Sequence, residues 1–525
     1  MTNNQKSDNT RVINESLQKV AKGTSIVLIG TLIVTFFGFI SRILIARQWT
    51  QSDFGIFSLA LSIISLFTVI SILGLERGTT RNIAYYKGKK DYKKIPKIIA
   101  SSIFTTLAAS NIIAIILFFS SEAIAEGLFH EPALVAPLQI FSVAIPFSNL
   151  ISILVSVLRG FNQIKPYVYF QQMLLHALFF FFLLYIVIFN MSFINIFYAH
   201  IGSLIFTCVV LAIYIIRKTH GYHVLSNSSV TLPITKELLL FSLPLLGTAM
   251  IQQIVGCTDT LMLGGIKSAV DVGLYNAARP LSGFITFPLS ALLMMYTPVI
   301  SGLYGRGKID EIKRNFSIIT KWISLITLPL FLILFLYSET IISYLFGAPY
   351  VLAANALRVL SLGMFLHNLA GPNGGTLIAM GKTRFILFAF LTTALLNVAL
   401  NVFLIPPYGV LGAAIASAIA VFAINIIKCQ RLYSLNRINP LSKNLIKPTI
   451  ASLIIIFLVY VIIDNYFIVT FWMVPPLFVL FCLIIFISIL FTKSLDEEDV
   501  QILVSIARKI GIKSQSIERF LRKFM

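Results

Sequence analysis

The chain has 525 residues, a net charge of +21, 58% hydrophobic and 12% charged residues, and a mean hydropathy of +0.91. No water-soluble fold needs that much apolar surface, so soluble enzymes and regulators are excluded. The basic excess does not indicate nucleic acid, because no basic groove with interleaved aromatics occurs and cations beside anionic lipid account for it.

Taken in order, fourteen apolar runs approach or exceed the roughly 17 to 25 residues that cross hydrocarbon as a helix. They cover 24–46, 54–74, 97–120, 137–158, 166–189, 193–216, 238–264, 271–300, 317–336, 351–380, 384–405, 409–428, 447–463 and 468–491. The first 22 residues are polar, and the run that follows is too long for a cleavable leader and carries Arg42 near its far end, so it reads as a signal anchor. Of the 41 lysines and arginines, all but Arg42, Arg47, Lys267, Arg279 and Arg358 fall in the two tails or in alternate loops. That asymmetry is the positive-inside pattern of a polytopic membrane protein and places both termini in the cytoplasm of a cell-membrane protein. The loop after the third span, with Glu122, Glu126 and Glu131 and no cation, suits the outer face.

The expected fold is all-α and integral to the membrane, with fourteen transmembrane helices. A cytoplasmic tail covers 1–22, a six-helix bundle 23–218, a cytoplasmic linker 219–236, a second six-helix bundle 237–430, two further helices 431–492, and a cytoplasmic tail 493–525. In the last of these, Val500, Leu503, Ala507 and Ile510 alternate with basic residues at the spacing of an interfacial helix. A solvated tail fits as well. The two bundles follow from a duplication with an offset of about 218 residues. Asp53, Gly55 and Phe57 return as Asp271, Gly273 and Tyr275; Gly88, Lys89 and Asp91 as Gly307, Lys308 and Asp310; Glu122, Phe129 and Pro132 as Glu339, Phe346 and Pro349. Six spans per repeat give both halves the same orientation, so the relating axis runs along the membrane normal and the bundles are pseudo-symmetric.

Three stretches carry a family resemblance: Asp259 to Gly264 followed by Asp271 to Ala278, Leu73-Gly74-Leu75 leading to Arg81-Asn82-Ile83-Ala84, and Pro407 to Ala414. Together they resemble the polysaccharide-export, O-antigen-type flippases of the multidrug/oligosaccharidyl-lipid/polysaccharide exporter superfamily. The resemblance implies a transporter that moves a polyprenyl-(di)phosphate-linked oligosaccharide from the cytoplasmic to the outer leaflet. It also implies a polymerase or ligase downstream.

An ionised side chain at mid-bilayer costs about 2.5 to 3.5 kcal/mol on insertion scales, so such residues usually face a bundle interior or water. Arg42, Arg279, Arg358 and Asp259 qualify. Steps of three and four place Thr31, Thr35, Gly38 and Arg42 on one face, and likewise Gln252, Gly256 and Asp259, and Asn276, Arg279, Gly283, Thr286 and Ser290. Arg42, Arg279 and Arg358 are the candidates for an anionic headgroup, since guanidinium gives forked, always-charged hydrogen bonding. Gln252, Asn276 and Asn368 are the candidates for sugar hydroxyls; Asn373 is a further cleft candidate, and Gly371 to Gly375 should kink the helix that bears it. The competing reading pairs Arg42 or Arg279 with Asp259 and lets the rest snorkel. Asp259, alone among carboxylates well inside a span, is the candidate for ion coupling, with charge pairing as its alternative.

Cys208, Cys257, Cys429 and Cys482 lack metal-ligand spacing and pair no two outer loops, so no metal, cofactor or disulfide is expected, and no nucleotide-binding loop occurs. A peptidoglycan-precursor flippase and a multidrug or organic-cation antiporter of the same superfamily remain as alternatives. The antiporter would need carboxylates in the cleft, where arginines outnumber them. A membrane glycosyltransferase would need an acidic metal cluster or a large outer domain, and neither is encoded. A cleft between two halves of one chain requires no second subunit, so a monomer is expected.

Overall fold

The computed structural model describes residues 27, 29–163, 165–219, 230–501, 504, 518, 519, 521 and 522. The tail over 1–22, most of the linker, and Leu503, Ala507 and Ile510 of the expected interfacial helix lie outside them. Every regular element among the described residues is helical. Eleven helices are long and apolar enough to cross a membrane, or thirteen when two bent pairs count as one span each. Large apolar side chains face outward along them, Phe119 at 80% and Phe403 at 75% exposure. Such surfaces are stable against lipid and would aggregate in water.

The chain forms two compact units, Met1–Asn276 and Ala277–Met525. The first contains α1 (Ile29–Gln48), α2 (Gln51–Ser71), α3 (Leu75–Gly88), α4 (Lys94–Gly127), α5 (Val135–Ser142) and α6 (Ala144–Gly160). It continues through α7 (Leu175–Ile188), α8 (Asn195–Thr219) and α9 (Leu232–Ile266) into the first half of α10 (Ala269–Gly283). Compactness therefore divides the chain beyond the linker at which the repeat begins again, because α9 packs along α2 and α3. Burying apolar surface drives no association inside lipid, so these helices hold one another through small residues and hydrogen bonds. The buried stripe of α4 runs Ser101, Ser102, Thr106, Ser110 and Ala114. Asn149 of α6 donates to Ser71 Oγ of α2 at 2.7 Å and to Ser110 Oγ of α4 at 2.9 Å, joining three helices. Thr79 of α3 donates to Ser102 at 2.8 Å.

Several spans are less regular than the hydropathy pattern predicts. The run expected to be a loop after the second span contains α3, which starts after Gly74 in the left-handed region and carries Arg77, Arg81 and Lys87. The fourth span bends by 41° between α5 and α6, and the fifth opens as a π-helix over Tyr167–Leu174. Pro146 accounts for the bend, because its ring and missing N–H break the ladder one turn earlier.

The repeat has a local structural counterpart inside the first unit. Thr50 caps α2, its hydroxyl taking the Asp53 N–H at 3.1 Å and donating to Asp53 Oδ2 at 2.7 Å. Ser268 and Asp271 form the same pair at the start of α10, at 3.3 and 2.7 Å. Asp53 and Asp271 thus recur because each closes the first turn of a helix. Two residues on, Gly55 and Gly273 cross face to face. A Cβ at Gly55 would overlap the carbonyl of Ala269 and lie 3.1 Å from Gly273 N; one at Gly273 would overlap the carbonyl of Gln51 and lie 3.3 Å from Gly55 N. Each glycine meets the residue four before the other, which is a local two-fold relation.

The second unit holds the rest of α10, α11 (Phe287–Gly305), α12 (Ile309–Leu336), α13 (Ser338–Phe346), α14 (Ala354–Leu369), α15 (Asn373–Ala379), α16 (Thr383–Asn436), α17 (Lys443–Tyr466) and α18 (Val474–Phe491). α14 packs between α12 and α16, with Gly363 set against Ala418. α16 runs over two expected spans as two helices joined at a kink, where the one non-helical residue is Gly409, at φ 53° and ψ −125°, just after Pro406 and Pro407. At about 1.5 Å per residue it is far longer than a bilayer is thick. At one end of this unit Lys321 of α12, 4% exposed, is gripped by Asp496 and Asp499 after α18. Trp322 Nε1 donates to Asp499 Oδ1 at 2.8 Å, and Asn444 to Asp496 Oδ1 at 2.8 Å. Beside them Arg314 bonds Glu498 and holds its carboxyl below the usual range.

The crossing predicts that Gly55→Leu or Gly273→Leu lowers the melting temperature in detergent, since overpacking costs about 1 to 3 kcal/mol. Gly38→Ala, where an added Cβ meets nothing within 4 Å, should leave it unchanged or slightly higher. Equal melting of all three would contradict the close approach.

Candidate functional site

In the first unit the polar groups inside the membrane collect where α9 meets α10. Cys257, Thr258, Asp259 and Thr260 are buried on α9. Asp259, 3% exposed, accepts a hydrogen bond from Tyr275 OH at 2.6 Å. One turn pair is repeated beside it: Asn276 donates to Thr260 Oγ1 at 3.2 Å and to Val272 O at 3.0 Å. Asn276 thus serves to join α9 and α10. Gln252 faces outward, and its neighbour Gln253 makes the interhelical contact, donating to Ser65 Oγ of α2 at 2.6 Å. Arg42 is half-buried on α1. The hydroxyls of Thr31 and Thr35 on the same helix bond back to Val27 O and Thr31 O, as polar side chains do when a helix crosses an apolar medium. Arg47 and Lys267 are exposed at helix ends.

In the second unit Arg279 is half-buried on α10, one turn before a 3₁₀ segment, Phe284–Thr286, interrupts the span. Asn368 of α14, wholly buried, donates to Ile285 O in that segment at 2.7 Å and so satisfies a carbonyl that the break releases. Arg358 bonds Glu339 at 2.8 Å and Asn355 at 2.6 Å, so a carboxylate already neutralises it.

The span bearing Asn373 breaks where the sequence predicts. α14 ends at Leu369, Gly371 takes φ +66°, and α15 starts at Asn373. Asn373, 2% exposed, donates to Asn425 Oδ1 of α16 at 3.0 Å, and Asn425 Nδ2 meets His367 Nδ1 at 2.9 Å. One turn further along α16 lies Lys428, 6% exposed, 5.0 Å over the ring of Phe390. Sequence reading counts Lys428 among the loop cations because it ends an apolar run. The signal it overlooks is the i, i+3 pairing with Asn425, which puts both on one buried face. Among the described residues no three His, Cys, Asp or Glu side chains converge as a metal site.

The sequence profile of a family described as "Polysaccharide biosynthesis protein" matches residues 20–303, more than half of the chain, and one described as "MatE" matches residues 244–403. An uncharacterized membrane protein of Methanocaldococcus jannaschii is 25% identical over 477 residues, 85% of this chain and 91% of its own. A Shigella flexneri protein named as a candidate O-antigen transporter is 24% identical over 424 residues, 78% of this chain and 96% of its own. Among solved structures, the lipid II flippase MurJ in an inward closed conformation superposes with a TM-score of 0.64, with 16% identity over 87% of this chain and 97% of that one. At that identity the likeness concerns the fold.

The Asp259 contact predicts that Tyr275→Phe lowers stability by about 1.5 to 3 kcal/mol, the usual worth of a hydrogen bond to a charged group. In a double-mutant cycle with Asp259→Asn the losses should fall short of additive. Strict additivity in thermal melting would show that the two side chains are uncoupled.

Proposed function

The chain belongs to the polysaccharide biosynthesis protein family, and from that membership we propose that it is a flippase carrying a polyprenyl-(di)phosphate-linked oligosaccharide from the cytoplasmic to the outer leaflet. It is a multi-span membrane transporter of that family. In this reading α16 counts as two spans broken at Gly409 and each bent pair as one, giving the fourteen that the hydropathy pattern predicts. The halves related by the repeat alternate access to the two leaflets, and both termini lie in the cytoplasm.

The observation that carries the substrate class is the sign of the charge within the membrane. Arg42, Arg279 and Lys428 stand against Asp259, whose carboxyl group is already bonded by Tyr275. A carrier of organic cations needs the opposite balance, because a cation in a cavity of low dielectric requires carboxylates. Arg42 and Arg279 are assigned to the headgroup. Asn276 joins α10, which bears Arg279, to α9, and Asn368 and Asn373 support the broken spans of the second unit. Asp259, bonded by Tyr275, is assigned a structural role between α9 and α10 rather than ion coupling. An anionic headgroup moving outward across a membrane negative inside is favoured by about 2.3 kcal/mol per charge per 100 mV, which supplies a direction without ATP.

Arg279→Ala should abolish surface-glycan export in a strain lacking its own flippase, at unchanged protein level, while Arg47→Ala at an exposed helix end restores it. Full complementation by Arg279→Ala would overturn the assignment.

A further inference from the structure

Burying a lysine ammonium without an acceptor is strongly unfavourable, so a buried, unpaired lysine implies either a neutral amine or an anion that arrives. Lys428 meets that description. It is 6% exposed, and among the described residues its Nζ has no hydrogen-bond or ion-pair partner; the ring of Phe390 lies 5.0 Å away. Opposite stands Gly374, just past the break in its span, where an added Cβ would lie 3.9 Å from Nζ. No side chain separates the ammonium from that backbone.

The amides near it spend their donors on one another and on the backbone, which leaves one ring N–H over. Asn425 Nδ2 donates to Val421 O at 2.7 Å, which fixes the amide so that Oδ1 accepts from Asn373. The same Nδ2 reaches His367 Nδ1 at 2.9 Å, making that nitrogen the acceptor. The ring proton therefore sits on Nε2, as a further donor. A buried cation and an imidazole N–H, with no carboxylate hydrogen-bonded to either among the described residues, suit an oxyanion with several acceptor oxygens. For a phosphoryl group the compact ammonium of lysine serves as a point charge.

We propose that Lys428, backed by His367 and the Asn373–Asn425 pair, is a phosphoryl-binding subsite that receives the (di)phosphate of the lipid-linked substrate at loading. The identity of that ligand rests on the flippase reading. Arg431, Arg437, Lys443 and Lys447 follow Lys428 in the chain, so in that reading the subsite opens toward the cytoplasmic side, where the substrate is loaded.

The test is equilibrium binding of geranyl diphosphate and of inorganic diphosphate to the purified full-length protein in detergent, for wild type, Lys428→Met, Lys428→Gln and Lys428→Arg. Wild type should bind, both neutral variants should bind roughly tenfold to a hundredfold more weakly, and Lys428→Arg should retain most of the affinity. Binding of both probes assigns the site to the anion alone; binding of the geranyl compound only assigns it to a lipid headgroup. Lys428→Met should also melt at or above the wild-type temperature, since it removes an unpaired buried charge. A lower melting temperature for that variant would mark the lysine as structural and overturn the proposal. So would unchanged binding in the neutral variants, or no binding of either probe by wild type. If Lys428-dependent binding holds while the wild type moves no glycolipid, the flippase reading fails and the phosphoryl subsite stands.

Discussion

Hydrocarbon offers a polar group no water, and this one constraint orders most of what the two units display. Each interruption of a helix must be answered by a neighbour: Asn368 takes up the carbonyl freed at Ile285, and Asn373 and Asn425 close the break after Leu369. Each buried side chain must find a partner within the protein, as Asn149 does among α2, α4 and α6 and as Asp259 does with Tyr275. Among the described residues this accounting stays incomplete at a number of buried hydroxyls, Ser101 and Thr106 of α4 among them, and at one buried cation. Lys428 is that cation, unlike the more conspicuous arginine Arg358, which Glu339 satisfies.

The same constraint explains what could be read from the residues and what could not. Helical class, the existence of long spans and the break after Leu369 follow from apolar run length and from Gly371-Pro372, both local properties of the chain. The repeated sequence aligns Asp53 with Asp271 and Gly55 with Gly273, but only the structure gives the reason: the first two are capping residues, and the second two are the sides of one backbone contact. Hydropathy does not separate a polar helix from a loop, so the apolar pattern predicts a loop where α3 forms. It does place a boundary where α16 kinks at Gly409.

Among the candidate site residues, legibility stopped at the side-chain partner. Periodicity points to the face of Gln252, Gly256 and Asp259, whereas the contact with Ser65 is made by Gln253 on the neighbouring face. Arg358 was selected for its charge, and its neutraliser lies nineteen positions earlier on a separate helix. Lys428 escaped because a cation at the end of an apolar run is ordinarily interfacial, and only packing against α15 distinguishes a buried one.

The central claim is the class of cargo, and translocation by the purified protein in liposomes tests it most directly. A short-chain polyprenyl-diphosphate oligosaccharide and an organic cation would be offered in separate vesicles, and leaflet exchange of the first and efflux of the second followed. The account predicts that the glycolipid changes leaflet and the cation stays. Movement of the cation with the glycolipid left in place would contradict it.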